Sequence, residues 1–219
     1  MAWNEYLPLL TEQWQHTGTW EIIAVIFSVL GVLLAYRNNV LLYPAGLIST
    51  GIYTLLMASP KVGLYAEASL NLYYFVMSIY GWIIWGRIPK NGTRKELPIS
   101  KAQGKDWSIV FAICGLGFLL LWWVLSSFTP STVPLADAFV SATAWAGMWL
   151  LAKRKVENWI LLNISNAAAI PLLVYKQMPL TALLTVFLFI VAVFGFFRWR
   201  RISREEPLSA TPLNHLKLQ

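Results

Sequence analysis

Long apolar stretches alternate with short polar ones along almost the whole chain. A helix needs roughly 20 mainly apolar residues to cross the hydrocarbon core of a membrane, and its backbone polar groups must bond to one another there. The pattern therefore predicts an all-α membrane protein with seven transmembrane helices. Their predicted bounds are 20–36, 40–58, 64–85, 107–126, 134–152, 156–175 and 179–197.

The composition supports a membrane protein and excludes several other classes. Of the 219 residues, 58% are hydrophobic and 12% are charged, whereas a soluble domain carries about 25% charged residues. The net charge of +7 comes from short basic clusters between apolar runs, so no nucleic acid partner is expected. One cysteine and two histidines cannot supply a set of zinc ligands. Neither a metal, a cofactor nor an enzymatic activity is expected.

The basic residues also predict how the chain is oriented. Cytoplasmic loops of membrane proteins carry an excess of Lys and Arg. Fifteen basic residues lie on one predicted side, and only Lys61 and Lys176 lie on the other. The N-terminus is therefore expected outside and the C-terminus in the cytoplasm.

Two parts of the chain repeat the same landmarks in the same order. The first reads LLAYRNN, YPAGLIST and SIYGWIIWGR, and the second reads LLAKRKVEN, WILLNISN and AVFGFFRWRR. Each part holds three helices, and parallel repeats of this kind occur in transporters that bind substrate between them. The predicted units are a first three-helix bundle (20–86), a basic cytoplasmic loop (87–106), a linker helix (107–126), a second three-helix bundle (134–197) and a basic cytoplasmic tail (198–219).

Hydrogen-bonding side chains recur at helical spacing inside the predicted spans. Positions three or four residues apart share one face of a helix, and polar groups in membrane helices face the bundle interior or a wet cavity. Amides, hydroxyls and aromatic rings at one depth suit a flat aromatic ligand. The predicted substrate-binding residues are Ser49 and Tyr53 on the second helix, Glu67, Asn71, Tyr74 and Ser78 on the third, Trp145 and Trp149 on the fifth, and Asn163 and Asn166 on the sixth.

Each of these residues also has a simpler interpretation. Asn and Ser in membrane helices often only bridge neighbouring helices, and the two tryptophans of the fifth helix could serve packing alone. The convergence of several such residues at one depth favours a ligand site over these alternatives.

Together with several short motifs, these residues resemble the Pnu family of bacterial vitamin-precursor transporters, over residues 21–201. The motifs are GLYAE at 63–67, YGW at 80–82, Trp85 and RKVENW at 154–159. The resemblance implies a 3+1+3 fold related to the SWEET sugar carriers, and a homotrimer in the bacterial inner membrane. It also implies facilitated diffusion of a small vitamin that a cytoplasmic kinase then traps.

One departure from the family pattern bears on the substrate. The resemblance implies that nicotinamide riboside carriers have a ring-stacking tryptophan one turn before the position of Asn166, and here that position is Leu162. Glu67 and the Trp145/Trp149 pair suit a flat cation, and residues 64–85 are similar to the thiamine branch. Thiamine is therefore the expected substrate, with nicotinamide riboside, riboflavin or a deoxynucleoside as alternatives. Outside the family, the alternative is a structural membrane protein without a ligand.

The middle of each predicted span lacks Asp, Glu and His. A proton relay through a membrane protein needs such residues. The predicted mechanism is therefore uniport by alternating access around a site near the midplane.

Overall fold

The structure is a computed structural model, and it describes residues 18–60, 63–86, 97–129 and 131–209. Within these ranges the chain forms seven helices, which confirms the all-helical prediction for the described residues. In chain order they are α1 (Thr19–Tyr36), α2 (Leu42–Met57), α3 (Tyr65–Gly86), α4 (Gly104–Phe128), α5 (Pro134–Ala152), α6 (Asn158–Tyr175) and α7 (Pro179–Ser209).

Five of these helices are long and apolar enough to cross a membrane, namely α1, α4, α5, α6 and α7. Helix α2 has 16 residues, which span about 24 Å at a rise of 1.5 Å per residue. Helix α3 has 22 residues but carries the polar stripe that begins at Glu67. For α2 and α3, membrane crossing stays a prediction.

The largest difference between predicted and observed helix bounds is at the end of α7. This helix continues to Ser209, so residues 198–209 prolong the last helix instead of forming a separate tail. Arg201 Nε donates to Glu205 Oε1 at 2.8 Å, an i,i+4 pair that supports a solvated helix. Residues 1–17, 61–62, 87–96, 130 and 210–219 lie outside the described residues. They include much of the predicted basic loop and tail, and also Lys61.

The turns that follow α1 and α5 share an unusual backbone geometry. Asn38 lies two residues after α1 with a φ of 56°, and Arg154 lies two residues after α5 with a φ of 52°. Positive φ is uncommon outside glycine. Gln177, two residues after α6, has a φ of 57° as well, so this turn is compatible with the proposed repeat but is not confined to corresponding positions.

A close helix approach is repeated in the same way. Tyr43 and Trp159, each five residues beyond those turns, are almost completely buried. A Cβ atom at Gly81 of α3 would collide with the Tyr43 ring, and one at Gly195 of α7 would lie 2.7 Å from the Trp159 ring. Glycine therefore lets α3 and α7 lie directly against these two rings.

The helices pack into two groups of three. α2 packs between α1 and α3 to form the N-terminal trio, α6 packs between α5 and α7 to form the C-terminal trio, and α4 packs on α5. The trios contact each other where α1 meets α7 and where α3 meets α5. If α1 corresponds to α5 and α3 to α7, the α1–α7 contact and the α5–α3 contact are equivalent, and each trio makes the same contact with the other. The packing supports the 3+1+3 arrangement, which stays a prediction.

Candidate functional site

Three adjoining cavities follow one another between the trios. The central cavity has a volume of about 230 Å³. The vestibule, of about 490 Å³, shares Glu67, Asp137 and Lys176 with it. On the opposite side, the deep cavity of about 180 Å³ shares Tyr74 and Asn166 with it and reaches toward the end of α3 that carries Trp85. Glu67 and Trp85 therefore mark the two ends of the cavity series.

Several polar side chains of the central cavity have no hydrogen-bond partner among the described residues. The hydroxyls of Tyr53, Tyr74 and Ser141 and the amide of Asn166 line it and make no side-chain hydrogen bond to another described residue. Tyr53, Tyr74 and Asn166 are only partly buried, and a polar group that reaches a cavity can bond there to a ligand or to water. These groups are therefore available to bind a ligand or water inside the cavity.

Seven of the ten predicted site residues line these cavities. Asn71 Nδ2 already donates to the Glu67 carbonyl oxygen at 2.8 Å, which fixes the amide on the cavity wall. Ser78 lines the deep cavity, where α3 crosses Gly46 of α2 closely enough for an added Cβ to lie 3.0 Å from Ser78 Oγ. The seven are Ser49, Tyr53, Glu67, Asn71, Tyr74, Ser78 and Asn166.

Asn163 lies between α6 and α7 and does not line the three cavities described. In the amide orientation that satisfies both of its polar atoms, its nitrogen donates to the Phe189 carbonyl at 3.0 Å and its oxygen accepts from the Val193 amide at 3.3 Å. The bridging interpretation therefore fits Asn163, although its spacing from Asn166 had placed both on the predicted site.

Trp145 and Trp149 also lie away from the three cavities. Trp145 stacks on Tyr73 with ring centroids 4.6 Å apart and packs with α4 residues around Leu121. Trp149 packs in a second cluster around Val110 of α4. Because α5 contacts α3, α4 and α6, its aromatic stripe is covered by helices and does not face the cavity.

Two charged residues at the vestibule were not predicted as site residues. Lys176 Nζ donates to Glu67 Oε1 at 2.6 Å and to Asp137 Oδ1 at 2.7 Å, and Ser131 Oγ donates to Asp137 Oδ2 at 2.8 Å. We call Glu67, Asp137 and Lys176 the ion triad. The sequence held one indication of the triad: Lys176 is one of only two basic residues on the side predicted to be poor in Lys and Arg.

The ion triad keeps its lysine charged. Burial lowers the pKa of Lys176, but the neighbouring Glu67 and Asp137 carboxylates outweigh burial, and the pKa is raised overall. Among the described residues, no group of three or more His, Cys, Asp or Glu side chains is placed to hold a metal ion. The ion triad and the polar side chains of the central cavity offer charge and hydrogen bonds to a ligand.

At the opposite end, two tryptophans join the trios reciprocally. Trp85 Nε1 of α3 donates to the Ala152 carbonyl of α5, and Trp199 Nε1 of α7 donates to the Ala35 carbonyl of α1, both at 3.1 Å. The two rings lie 6.3 Å apart, and the Arg154 guanidinium lies 4.0 Å from the Trp85 centroid. Both indoles are buried, so this end is closed by a packed aromatic cluster.

Comparison with known proteins gives one consistent result. The family model described as "Nicotinamide mononucleotide transporter" matches residues 18–201. The proteins named "Nicotinamide riboside transporter PnuC" from Escherichia coli K12 and from Shigella flexneri are each 23% identical over 210 residues, covering 84% of this chain and 86% of theirs. A solved structure titled "Crystal structure of the Vitamin B3 transporter PnuC" superposes with a TM-score of 0.67 at 22% identity, covering 84% of this chain and 81% of that one.

Proposed function

The chain belongs to the nicotinamide mononucleotide transporter family, and from that premise we propose that it is a membrane carrier for nicotinamide riboside. Two relatives that match over most of their length carry that substrate in their names. A solved structure of similar fold is named as a vitamin B3 transporter. Family membership makes the chain a membrane transporter, while the substrate is part of our proposal.

The observation that carries the proposal is the pair formed by Tyr74 and Asn166. Tyr74 comes from the N-terminal trio and Asn166 from the C-terminal trio, and both line the boundary of the central and deep cavities. Neither side chain bonds to another described residue. Nicotinamide riboside carries a carboxamide and ribose hydroxyls, which are donors and acceptors that such a pair can satisfy. Ligand pockets typically combine apolar walls with a few such polar groups.

The preference for thiamine loses one of its supports in the structure. It depended on Glu67, on the Trp145/Trp149 pair and on Leu162. The tryptophan pair packs against α3 and α4 and does not line the cavity, so it offers no ring to a cationic ligand there. The similarities found are to nicotinamide riboside carriers, and neither the thiamine branch nor a relation to the SWEET carriers gains support from them.

The proposed mechanism is alternating access, in which the two trios rock around the central cavity. With the N-terminus outside, the vestibule opens to the exterior and the Trp85 end faces the cytoplasm of a bacterial inner membrane. Among the described residues that line the three cavities, the acidic ones are Glu67 and Asp137, and both lie at the vestibule end. We propose uniport, because these two carboxylates form no proton relay across the central cavity. Phosphorylation by a cytoplasmic kinase would then retain the vitamin, and a homotrimer is the proposed assembly.

Equilibrium binding to the purified protein tests the substrate. We expect micromolar or tighter binding of nicotinamide riboside and a loss of affinity in Tyr74→Phe and Asn166→Ala. Tighter binding of thiamine, riboflavin or a deoxynucleoside would show that the substrate is wrong. Unchanged affinity in both variants would show that the site is wrong, and no binding of any of these compounds would favour a structural membrane protein.

Transport in proteoliposomes tests the mechanism separately. A uniporter without a kinase should equilibrate nicotinamide riboside across the membrane at a rate that does not depend on a proton gradient. An uptake rate that collapses when an uncoupler is added would contradict uniport, whatever the substrate.

A further inference from the structure

The ion triad lies at the boundary of two spaces. Glu67, Asp137 and Lys176 line both the vestibule and the central cavity. Their side chains are 18%, 5% and 13% exposed, respectively. A molecule that passes from the vestibule into the central cavity must therefore pass these three charged groups.

The two ion pairs of the triad differ in what they join. Glu67 belongs to α3 of the N-terminal trio, while Lys176 lies in the turn between α6 and α7 of the C-terminal trio. The Glu67–Lys176 pair, at 2.6 Å, therefore ties one trio to the other. Asp137 lies on α5, so the Asp137–Lys176 pair, at 2.7 Å, joins parts of the same trio. Moving the trios apart at this end breaks the first pair and leaves the second intact.

The triad also carries an imbalance of charge. Two carboxylates and one ammonium leave a net charge of −1 in a place that is mostly shielded from water. A buried charge without full compensation is unfavourable, so a further positive charge is stabilised here. Nicotinamide riboside carries a permanent positive charge on its pyridinium ring. An entering molecule of this kind can take the place of the Lys176 ammonium beside Glu67.

We propose that the ion triad is the outer gate of the carrier and that the net negative charge of the triad makes this gate selective for cations. While the gate is closed, the Lys176 ammonium holds Glu67. When a cationic substrate enters from the vestibule, its positive ring replaces the ammonium and the trios separate at this end. A neutral molecule of the same shape cannot make this exchange. The inference rests on the proposed function for the direction of entry and for the charge of the substrate.

Cysteine accessibility tests the gate without any substrate. Ser141 lies in the central cavity. Cys114 is the one cysteine of the sequence, so Ser141→Cys in a background with Cys114→Ala gives a chain with a single thiol. A membrane-impermeant maleimide added outside intact cells reports how often the gate opens. Lys176→Gln and Glu67→Gln break the same cross-trio pair from opposite sides, so either variant suffices if the other does not reach the membrane.

We expect labelling about tenfold faster in Lys176→Gln and Glu67→Gln than in the parent. Asp137→Asn is the matched control, because it removes one carboxylate charge but leaves the cross-trio pair, and its rate should stay within about threefold of the parent. Parental rates in both cross-trio variants would overturn the gate. So would a rate in Asp137→Asn as high as that in Glu67→Gln.

Charge selectivity is tested with a pair of ligands of nearly the same shape. Nicotinamide riboside is a cation, whereas its 1,4-dihydro form is neutral, and the ratio of their affinities measures the preference for charge. Lys176→Gln makes the triad more negative, so this ratio should rise about tenfold. Glu67→Gln and Asp137→Asn each make it neutral, so the ratio should fall by a similar factor.

The two assays separate failure of the gate from failure of the proposed function. Equal ratios in all three variants would overturn the selectivity. If the parent binds neither ligand, the proposed substrate is wrong and with it the selectivity for that cation, while the labelling rates still decide whether the triad is a gate.

Discussion

Two asparagines on α6 allow the substrate site to be separated from the scaffold. Asn166 lines the central cavity without a partner among the described residues. Asn163, one turn away, bonds to the Phe189 carbonyl and the Val193 amide of α7. Replacing each by alanine removes the same chemical group from two different surroundings. The two variants should therefore fail in opposite ways.

Asn166→Ala should lose affinity and keep stability. A hydrogen bond contributes about 0.5–1.5 kcal/mol net, so an amide that makes two bonds to a ligand contributes about 1–3 kcal/mol. Because 1.4 kcal/mol corresponds to a factor of ten, binding of nicotinamide riboside should weaken about 5- to 150-fold. Isothermal titration calorimetry measures the loss. The thermal unfolding midpoint should stay unchanged, since this amide bonds to no other described residue.

Asn163→Ala should lose stability and keep affinity. Hydrogen bonds between membrane helices contribute about 0.6 kcal/mol each on average, so two of them contribute about 1.2 kcal/mol. For a chain of this size, 1 kcal/mol shifts the midpoint by about 2–4 °C, which gives a decrease of about 2–5 °C by tryptophan fluorescence. The double variant should show both the lower midpoint and the weaker binding, because each amide affects a different measurement. A loss of affinity in Asn163→Ala equal to that in Asn166→Ala, at parental stability, would refute this reasoning.

Two further predictions concern the close packing of the trios. Gly195→Ala places a methyl 2.7 Å from the buried Trp159 indole and should destabilise the protein by about 1–3 kcal/mol. The control is Gly115→Ala, which has nothing within 4 Å of the added methyl and should be neutral or stabilise the protein by up to about 1 kcal/mol. Equal unfolding midpoints in the two variants would contradict this prediction. Trp85→Phe and Trp199→Phe each remove one N–H donor between the trios. The reporter is Ser78→Cys in a protein with Cys114→Ala. In inside-out vesicles its thiol should be labelled about 2- to 13-fold faster in either tryptophan variant than in the parent. Parental labelling rates in both variants would show that these bonds do not hold closed the end that we propose faces the cytoplasm.

The apolar pattern was sufficient to predict the helices, because a membrane helix must be both long and apolar. It placed most helix bounds within three residues of the observed ones. It missed the last part of α7 because Arg198 and the basic residues after it end the apolar run, although nothing in them stops a helix. Helix α3 was predicted as a span although it is not among the helices that are apolar enough by composition to cross a membrane. The polar groups that line the cavity make it less apolar.

The stripe on α3 predicted its cavity-facing residues because Glu67, Asn71, Tyr74 and Ser78 recur at intervals of three and four residues and so share one face of the helix. Spacing failed on α5, where three neighbouring helices cover the surface and a stripe does not show which of them it meets. It also failed to separate Asn163 from Asn166, because residues three apart on a helix point only about 60° apart. The partners of Lys176 are 109 and 39 residues away in the chain, so no local pattern could pair them.

The reciprocal tryptophan bonds have a consequence for the energetics of release. Together the two bonds contribute about 1–3 kcal/mol, and opening this end would also separate the buried indole rings that make them. In the uniporter proposed above, substrate binding and thermal motion together would supply this cost, without nucleotide hydrolysis or an ion gradient. Accumulation would depend on how fast the cell consumes the delivered molecule, so metabolic demand would set the net flux.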